Sequence, residues 1–352
     1  MKKYLSFMVI ACLLLACCSC SNGSGSGSRG AAAKIPGTIV KETKSSITII
    51  DQAERTVTVK RPVKSIALCY RVAIRPLLSL GQGKKIKGIG KTEPFLEQLQ
   101  PSLKHCKEVG QGVADLEALA ALKPDVFFHK ATDVQSLDAV QQLGIPAIGI
   151  SVETPEQMRQ AITIMGEVCG AEKKANTLLK YYDKRLAASK KRIAPLTGRE
   201  KKTAIIMGAA LGKVANGAML QSVMIQQAGG VNMARGVNTP GLWPTVGIEQ
   251  VFQWNPDYIF ISNSESANYT ARDILKDPTW SALKAVKEKH VYTMPAAQDS
   301  WEFPGPVSVL GIDYMMMKMY PDLISEKMLE KEVNQFYQLS YGKTFTRRQL
   351  GY

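Results

Sequence analysis

Side chains suited to metal or acid–base chemistry are few in this chain and far apart. Its 3 histidines, His105, His129 and His290, share no motif with cysteines or serines. Neither a zinc-type ligand set nor a nucleophile with an adjacent base is therefore written into consecutive positions. What recurs is an acid. The stretch LEALAALKPDVFF at 116–128 returns as IEQVFQWNPDYIF at 248–260, aligning Glu117 with Glu249, Pro124 with Pro256, Asp125 with Asp257 and Phe128 with Phe260. Each glutamate falls in the first turn of a short helix, where the helix dipole favours a carboxylate and free N–H groups can bond to it. Taken singly, each acid is accounted for by that local role. Two copies 132 residues apart also predict equivalent surface positions on two equivalent units.

The surrounding pattern supplies those units. SITIIDQAERTVTVKRP alternates apolar and polar positions about a turn and reads as a β-hairpin. Short apolar runs then alternate with helices: SIALCY, RVAIRPLLSLG, IKGIG, DLEALAAL, VFFHK, DVQSLDAVQQLG and IPAIGI. Single helices between strands predict a mainly parallel sheet covered on both faces. Thr154, Pro155 and Gln157 form a capping box that opens a helix ended by Gly170. From Ala171 to Ile193 a second helix of ~35 Å carries a narrow stripe of Ala175, Leu178, Leu179, Tyr182 and Leu186, which suits a strut. Beyond it the alternation restarts with TAIIMG, AMLQSVMIQQAGG, the second copy of the motif, ARDILKDPTWSAL and VYTMP, and closes on VSVLGIDYMMMKMYPDL, whose methionines read as core.

The first twenty residues hold two lysines, an apolar run and then cysteines, the pattern of a secretory signal and too short for a membrane span. Leu14-Leu15-Ala16-Cys17 fits a bacterial lipobox, with Cys17 as the lipidated residue, and SNGSGSGSRGAAAK reads as a flexible tether. The expected organisation is a signal at 1–16, a lipidated N-terminus and tether at 17–46, an N-terminal α/β lobe at 47–170, a connecting helix at 171–193 and a C-terminal α/β lobe at 194–352.

The net charge of +15, or +13 once Lys2 and Lys3 leave with the signal, is dispersed among acids and lacks interleaved aromatics. Nucleic acid is a poor partner for such a surface, whereas a cleft that prefers anions is compatible with it. Cys69, Cys106 and Cys169, the cysteines past the tether, allow at most one disulfide.

Six stretches in order carry a family resemblance: DQAERTVTVKRPVKSIAL, VGQGVADLEALAALKPDVFF, AGGVNMA, WPTVGIEQVFQWNPDYIFI, DPTWSALKAVKEKHVYTMP and DSWEFPGPVSVLG. Over about 47–323 the chain resembles the substrate-binding proteins of iron-siderophore, haem and cobalamin ABC importers. That resemblance implies a class III periplasmic-binding fold, with two Rossmann-like lobes joined by one rigid helix. It also implies a non-enzymatic, cofactor-free, monomeric receptor on the outer side of a bacterial membrane, serving an ABC permease and its ATPase. Glu117 and Glu249 are the positions that would meet permease arginines. Such ion pairs are individually weak, so their value would lie in steering and register.

Ligands of open parallel sheets sit beyond the carboxyl ends of the strands. The candidates there are Tyr70, Arg71, Lys91, His129 and Lys130 in the first lobe, and Met207–Ala210, Trp243 and Trp301 with Glu302 in the second. Each has another role open to it: Trp301 could pack the closing helix, Trp243 could be an ordinary loop residue, Tyr70 and Arg71 could face solvent, and His129 could be a hydrogen-bonded structural residue. An anionic chelate or an oxyanion such as molybdate or tungstate would use Arg71, Lys91 and Lys130. Haem would need Tyr70 or His129 as an axial donor, and a corrinoid would want Trp243 and Trp301. The basic residues favour an anionic cargo, a ferric siderophore first. An envelope enzyme on the same fold is the rival of a different class. A receptor for free zinc or manganese would need converging histidines that the chain lacks.

Overall fold

A computed structural model describes residues 35–239, 242–262 and 267–352. The signal, the lipobox and Cys17 lie outside the described residues. Three antiparallel strands, β1 (Ile39–Glu42), β2 (Ser46–Ile50) and β3 (Thr56–Lys60), come first. β2 and β3 form the expected hairpin, with Ile47 opposite Val59 and Ile49 opposite Val57 on the buried face. β1 lies within the stretch expected as tether, since it pairs with β2 through Ile39 and Glu42.

The first lobe is built on β4 (Ile66–Leu68), β5 (Ile86–Ile89), β6 (Lys107–Glu108), β7 (Val126–Lys130) and β8 (Ala147–Ile150), ordered β6-β5-β4-β7-β8 and parallel throughout. The second uses β9 (Thr203–Met207), β10 (Val231–Asn232), β11 (Tyr258–Ile261) and β12 (Val291–Thr293), ordered β10-β9-β11-β12 and again parallel. β7, β8, β9 and β11 are almost wholly buried, which is why they read as continuous apolar runs without alternation. This is the two-lobe α/β architecture with a long helix that the sequence predicts.

The helix Pro155–Cys169 starts on the expected Thr154–Gln157 capping box and ends at Gly170, whose φ of +68° suits glycine. The long helix Glu172–Ile193 follows at once. Its buried face includes Arg185, whose guanidinium pairs with Asp313 and, at 2.7 Å, with Glu332, while Arg192 reaches Asp313 at 3.1 Å. Met315, Met316, Met317 and Met319 are buried.

One continuous apolar core runs from the first lobe (Ile66, Leu77) through the long helix (Tyr182) into the second (Met224, Leu310). A helix not anticipated from the sequence, Glu326–Tyr341, returns from the second lobe to the first. There Phe95 meets Tyr337, Tyr341 and Phe345 at ring distances of 6.4, 6.3 and 5.6 Å, and Lys343 donates to the Gln98 carbonyl at 2.8 Å. The two lobes are thus tied together by buried apolar area as well as by the strut. Among the described residues no helix is long and apolar enough to cross a membrane.

Candidate functional site

The duplicated motif has the same geometry in both lobes. The helices Leu116–Leu122 and Ile248–Trp254 each end on a residue in the left-handed region, Lys123 (φ +49°) and Asn255 (φ +41°). The aspartate that follows braces the start of the neighbouring central strand. Asp125 accepts the Lys64 and Ser65 N–H groups at 2.8 Å each and the Ser65 hydroxyl at 3.0 Å, beside β4. Asp257 accepts the Thr203 N–H at 2.7 Å and its hydroxyl at 3.0 Å, at the head of β9. Glu117 and Glu249 are exposed in the first turns. The copies differ at their caps: Asp115 accepts the Ala118 N–H at 3.0 Å, whereas Gly247 provides no side-chain cap.

In each sheet the strand order reverses beside the first strand, between β4 and β7 and between β9 and β11. Such switch points open crevices at the carboxyl ends of strands. Here they border a cavity of about 960 Å³ lined by residues of both lobes. The first lobe contributes Tyr70, Arg71, Arg75, Glu93 and Glu153; the second contributes Lys213, Gln221, Trp243, Ser262, Glu302 and Phe303. Trp243 has a φ of +58°, an unusual conformation for a bulky residue and a recurrent mark of ligand-binding loops. Its indole lies so close to Gly208 that a Cβ there would come within 2.7 Å of the ring. Glycine at 208 is what lets the ring stand at the cavity wall.

Charges along the wall are mixed. Glu93 bridges two arginines, with Oε1 3.1 Å from Arg71 Nη2 and Oε2 accepting from Arg75 Nη2 at 3.0 Å. Arg75 also donates through Nε to Asp299 at 2.6 Å. Both guanidinium groups stand over the Phe303 ring, 5.5 Å and 5.0 Å from its centroid. Glu302 accepts from the Ser262 hydroxyl at 2.7 Å, the Ser300 hydroxyl at 3.1 Å and Gln221 Nε2 at 3.3 Å. Glu153 reaches across from the first lobe to accept the Leu220 N–H at 3.1 Å, at the start of the helix Leu220–Gln227. Burial pushes the Glu153 carboxyl up, and that N–H offsets only part of the effect. Burial, with Glu153 nearby, likewise pushes the Tyr70 hydroxyl up, so Tyr70 faces the cavity as a neutral phenol.

Of the predicted ligand residues, Tyr70, Arg71 and Trp243 line this cavity together, as do Ala209 and Ala210 and the Glu302 named beside Trp301. The others do not. Trp301 has no exposed surface; its indole N–H donates to the Tyr337 hydroxyl at 3.0 Å, inside the core. Lys91 is exposed and borders a separate depression of about 390 Å³ with Thr92, Lys104 and Glu108. His129 and Lys130 belong to β7, which runs past VFF, so His129 is held inside the sheet layer and Lys130 falls outside the cavity wall. Arg75, Glu93, Glu153, Lys213 and Phe303 were not anticipated. For Glu153, and for Phe303 directly beside Glu302, position just after a strand or beside a named candidate was the available signal. Glu93, two residues past Lys91 in the loop after β5, carried the same signal.

His129 is part of an arrangement with a catalytic outline. Its Nδ1 lies 3.2 Å from Cys69 Sγ and its Nε2 lies 2.8 Å from Asp133 Oδ2. The chemistry runs the other way. Burial, reinforced by the Asp133 charge, pushes the Cys69 thiol up to about 12, and burial holds His129 below its ordinary value. A nucleophilic cysteine needs a lowered thiol pKa and access, and Cys69 is buried. The three residues form a buried hydrogen-bonded packing unit. Cys69, Cys106 and Cys169 are all unpaired.

A two-lobe α/β fold with a rigid connecting helix and a cavity between facing switch points defines an inter-lobe binding protein. The chain matches the profile of the family described as periplasmic binding protein over residues 74–298, more than half its length, and belongs to that family. The molybdate-binding protein MolA of Haemophilus influenzae is 25% identical over 330 residues, covering 84% of this chain and 91% of that protein. Its solved structure with molybdate bound superposes with a TM-score of 0.75 at 22% identity, covering 85% and 99% of the two chains. The uncharacterized ABC transporter substrate-binding lipoprotein YvrC of Bacillus subtilis is 24% identical, over 80% of this chain and 87% of that one. The iron(3+)-hydroxamate-binding protein YxeB of Bacillus subtilis is 22% identical, over 83% and 89%. The chain is accordingly an extracytoplasmic substrate-binding protein of an ABC importer, with a permease as partner and a small molecule as ligand.

Proposed function

We propose that the cleft captures a metal-containing cargo, a ferric siderophore or related iron chelate, and hands it to the permease. The observation that carries this reading is the cavity itself: about 960 Å³, lined by Tyr70, Trp243 and Phe303 and by Arg71, whose guanidinium stands over Phe303. That volume lies at the upper end of the range for organic ligands, roughly 300–1,000 Å³. Flat aromatic faces with an arginine suit the planar, oxygen-rich rim of a chelate. The resemblance to YxeB supports the same direction.

Molybdate or tungstate is the second reading, favoured by the likeness to MolA. Haem is less well supplied, because His129 is enclosed and leaves Tyr70 as the one candidate axial donor at the cavity. A corrinoid would meet Trp243 but not Trp301. In this proposal a lipid on Cys17 anchors a monomeric receptor to the membrane, and Glu117 and Glu249 dock it on permease arginines. The lipoprotein YvrC supports the anchor.

The test is an equilibrium titration of the purified protein with a ferric trihydroxamate, a ferric tricatecholate, molybdate, haem and cobalamin, followed by Trp fluorescence. Saturable tight binding of a ferric chelate is the expected result. Tight binding of molybdate alone transfers the assignment to the oxyanion.

A further inference from the structure

We propose that Glu93 is a built-in counter-ion that covers the anion-binding part of the cleft and gives up Arg71 to the acidic group of an arriving cargo. The inference rests on the reading of the cleft as a site for an anionic chelate or oxyanion, and it adds the residue that sets how strongly charged that cargo must be.

The geometry of Glu93 is that of a ligand. Its two carboxylate oxygens are divided between two guanidinium groups, Oε1 to Arg71 at 3.1 Å and Oε2 to Arg75 at 3.0 Å, as a bidentate oxyanion or catecholate would be. The carboxylate has no part in capping the helix Pro94–Leu99 that it precedes. Its hold on the two arginines is unequal. Arg75 is 2% exposed and also bound by Asp299 at 2.6 Å, so it stays whichever anion is present. The Arg71 side chain is 35% exposed and its only ion pair among the described residues is the one with Glu93. A contact as open to water as this one is weak. The Phe303 ring lies beneath both guanidinium groups, so Arg71 released from Glu93 remains presented to the cavity.

An anion that takes the Nη2 edge of Arg71 must displace Glu93, and its apparent affinity is lowered by the fraction of molecules in which that edge is covered. An uncharged chelate makes no such exchange. Glu93 thus biases the cleft against weak anions and leaves neutral cargo unaffected.

The substitution Glu93→Gln keeps the shape and removes the charge. With molybdate and a ferric tricatecholate as anionic probes, the variant should bind about 2–5-fold more tightly than the wild type. A neutral ferric trihydroxamate should bind both forms alike. Anionic probes that bind the variant equally or more weakly overturn the proposal, as does an equal gain for the neutral chelate. A second readout needs no cargo: phenylglyoxal modification followed by peptide mass spectrometry. Arg71 should react several-fold faster in the variant while Arg75 stays protected in both forms, and an unchanged Arg71 rate overturns the proposal. If the wild type binds none of the probes, the cargo reading fails and the Arg71 rate alone decides the role of Glu93.

Discussion

Arg75 and Asp299 meet across the two lobes at 2.6 Å, with side-chain exposures of 2% and 0%. One belongs to the helix after the first strand of the first lobe, the other to the segment after β12. A charged pair this deep fixes one relative placement of the lobes beneath the cleft, because separating them would leave both charges buried or newly hydrated.

Removing one partner should therefore be far more damaging than a surface substitution. Asp299→Asn is expected to destabilise the protein by about 3–5 kcal/mol. For a chain of this size that lowers the Tm by roughly 10 °C. Differential scanning calorimetry measures it, and an unchanged Tm would show that the pair holds nothing together.

The two aspartates of the repeated motif predict acid sensitivity. Burial pushes Asp125 up, but the N–H groups of Lys64 and Ser65 and the Ser65 hydroxyl outweigh it and hold the carboxyl below the ordinary range. Burial acts in the same sense on Asp257, and is outweighed by Lys284 and the donors of Thr203. A depressed folded-state pKa contributes stability that is complete above the unfolded value of ~3.9 and is lost as the pH falls through the folded one. Asp125→Asn with Asp257→Asn should cost roughly 1–3 kcal/mol per site at pH 7. Urea titrations at several pH values should show less further loss on acidification in the variant than in the wild type. A parallel loss in both forms would contradict the assignment.

Trp243 and Trp301 should separate cleanly. Trp301→Ala empties a core position and is expected to cost about 3–5 kcal/mol. Trp243→Ala removes a cavity wall and should weaken cargo binding on the order of tenfold with little change in Tm, by analogy with aromatic contact residues. Isothermal titration and thermal unfolding of both variants check the contrast, and a reversed pattern would move the cleft.

Docking is tested in cells. Glu117→Lys with Glu249→Lys should abolish uptake while leaving cargo affinity intact, and either change alone should act only in part, since each exposed pair is worth about 0–1 kcal/mol. Uptake that survives the double reversal removes the docking role.

Much of the architecture was legible because parallel strands buried on both faces leave unbroken apolar runs, as in VFF and YIFI, and because Thr154 and Gly170 punctuate their helix. Tyr70 and Arg71, named for their place just past the first strand of the lobe, line the cavity, as does the loop residue Trp243. Lys91, His129 and Lys130 fall outside that cavity for a common reason: sequence locates a residue along a strand, but not where the strand stops or which way the last side chains turn. Trp301 was ambiguous until Glu326–Tyr341 brought Tyr337 to its indole, a contact 36 residues away that no local pattern announces. Glu93 and Arg75 matter through a partner in the other lobe or through each other, which only the assembled cleft shows.

In the proposed function a metal-containing cargo is held between the lobes at Arg71 and Trp243. The most direct measurement is elemental analysis, with an absorption spectrum, of the protein purified from its native host beside the Arg71→Ala, Trp243→Ala double variant. Iron is expected in stoichiometric amount on the wild type and lost from the variant, with the two proteins unfolding at the same Tm once both are stripped of cargo. A wild-type protein that carries no metal, or a variant that retains it in full, would rule out a metal-containing cargo at Arg71 and Trp243.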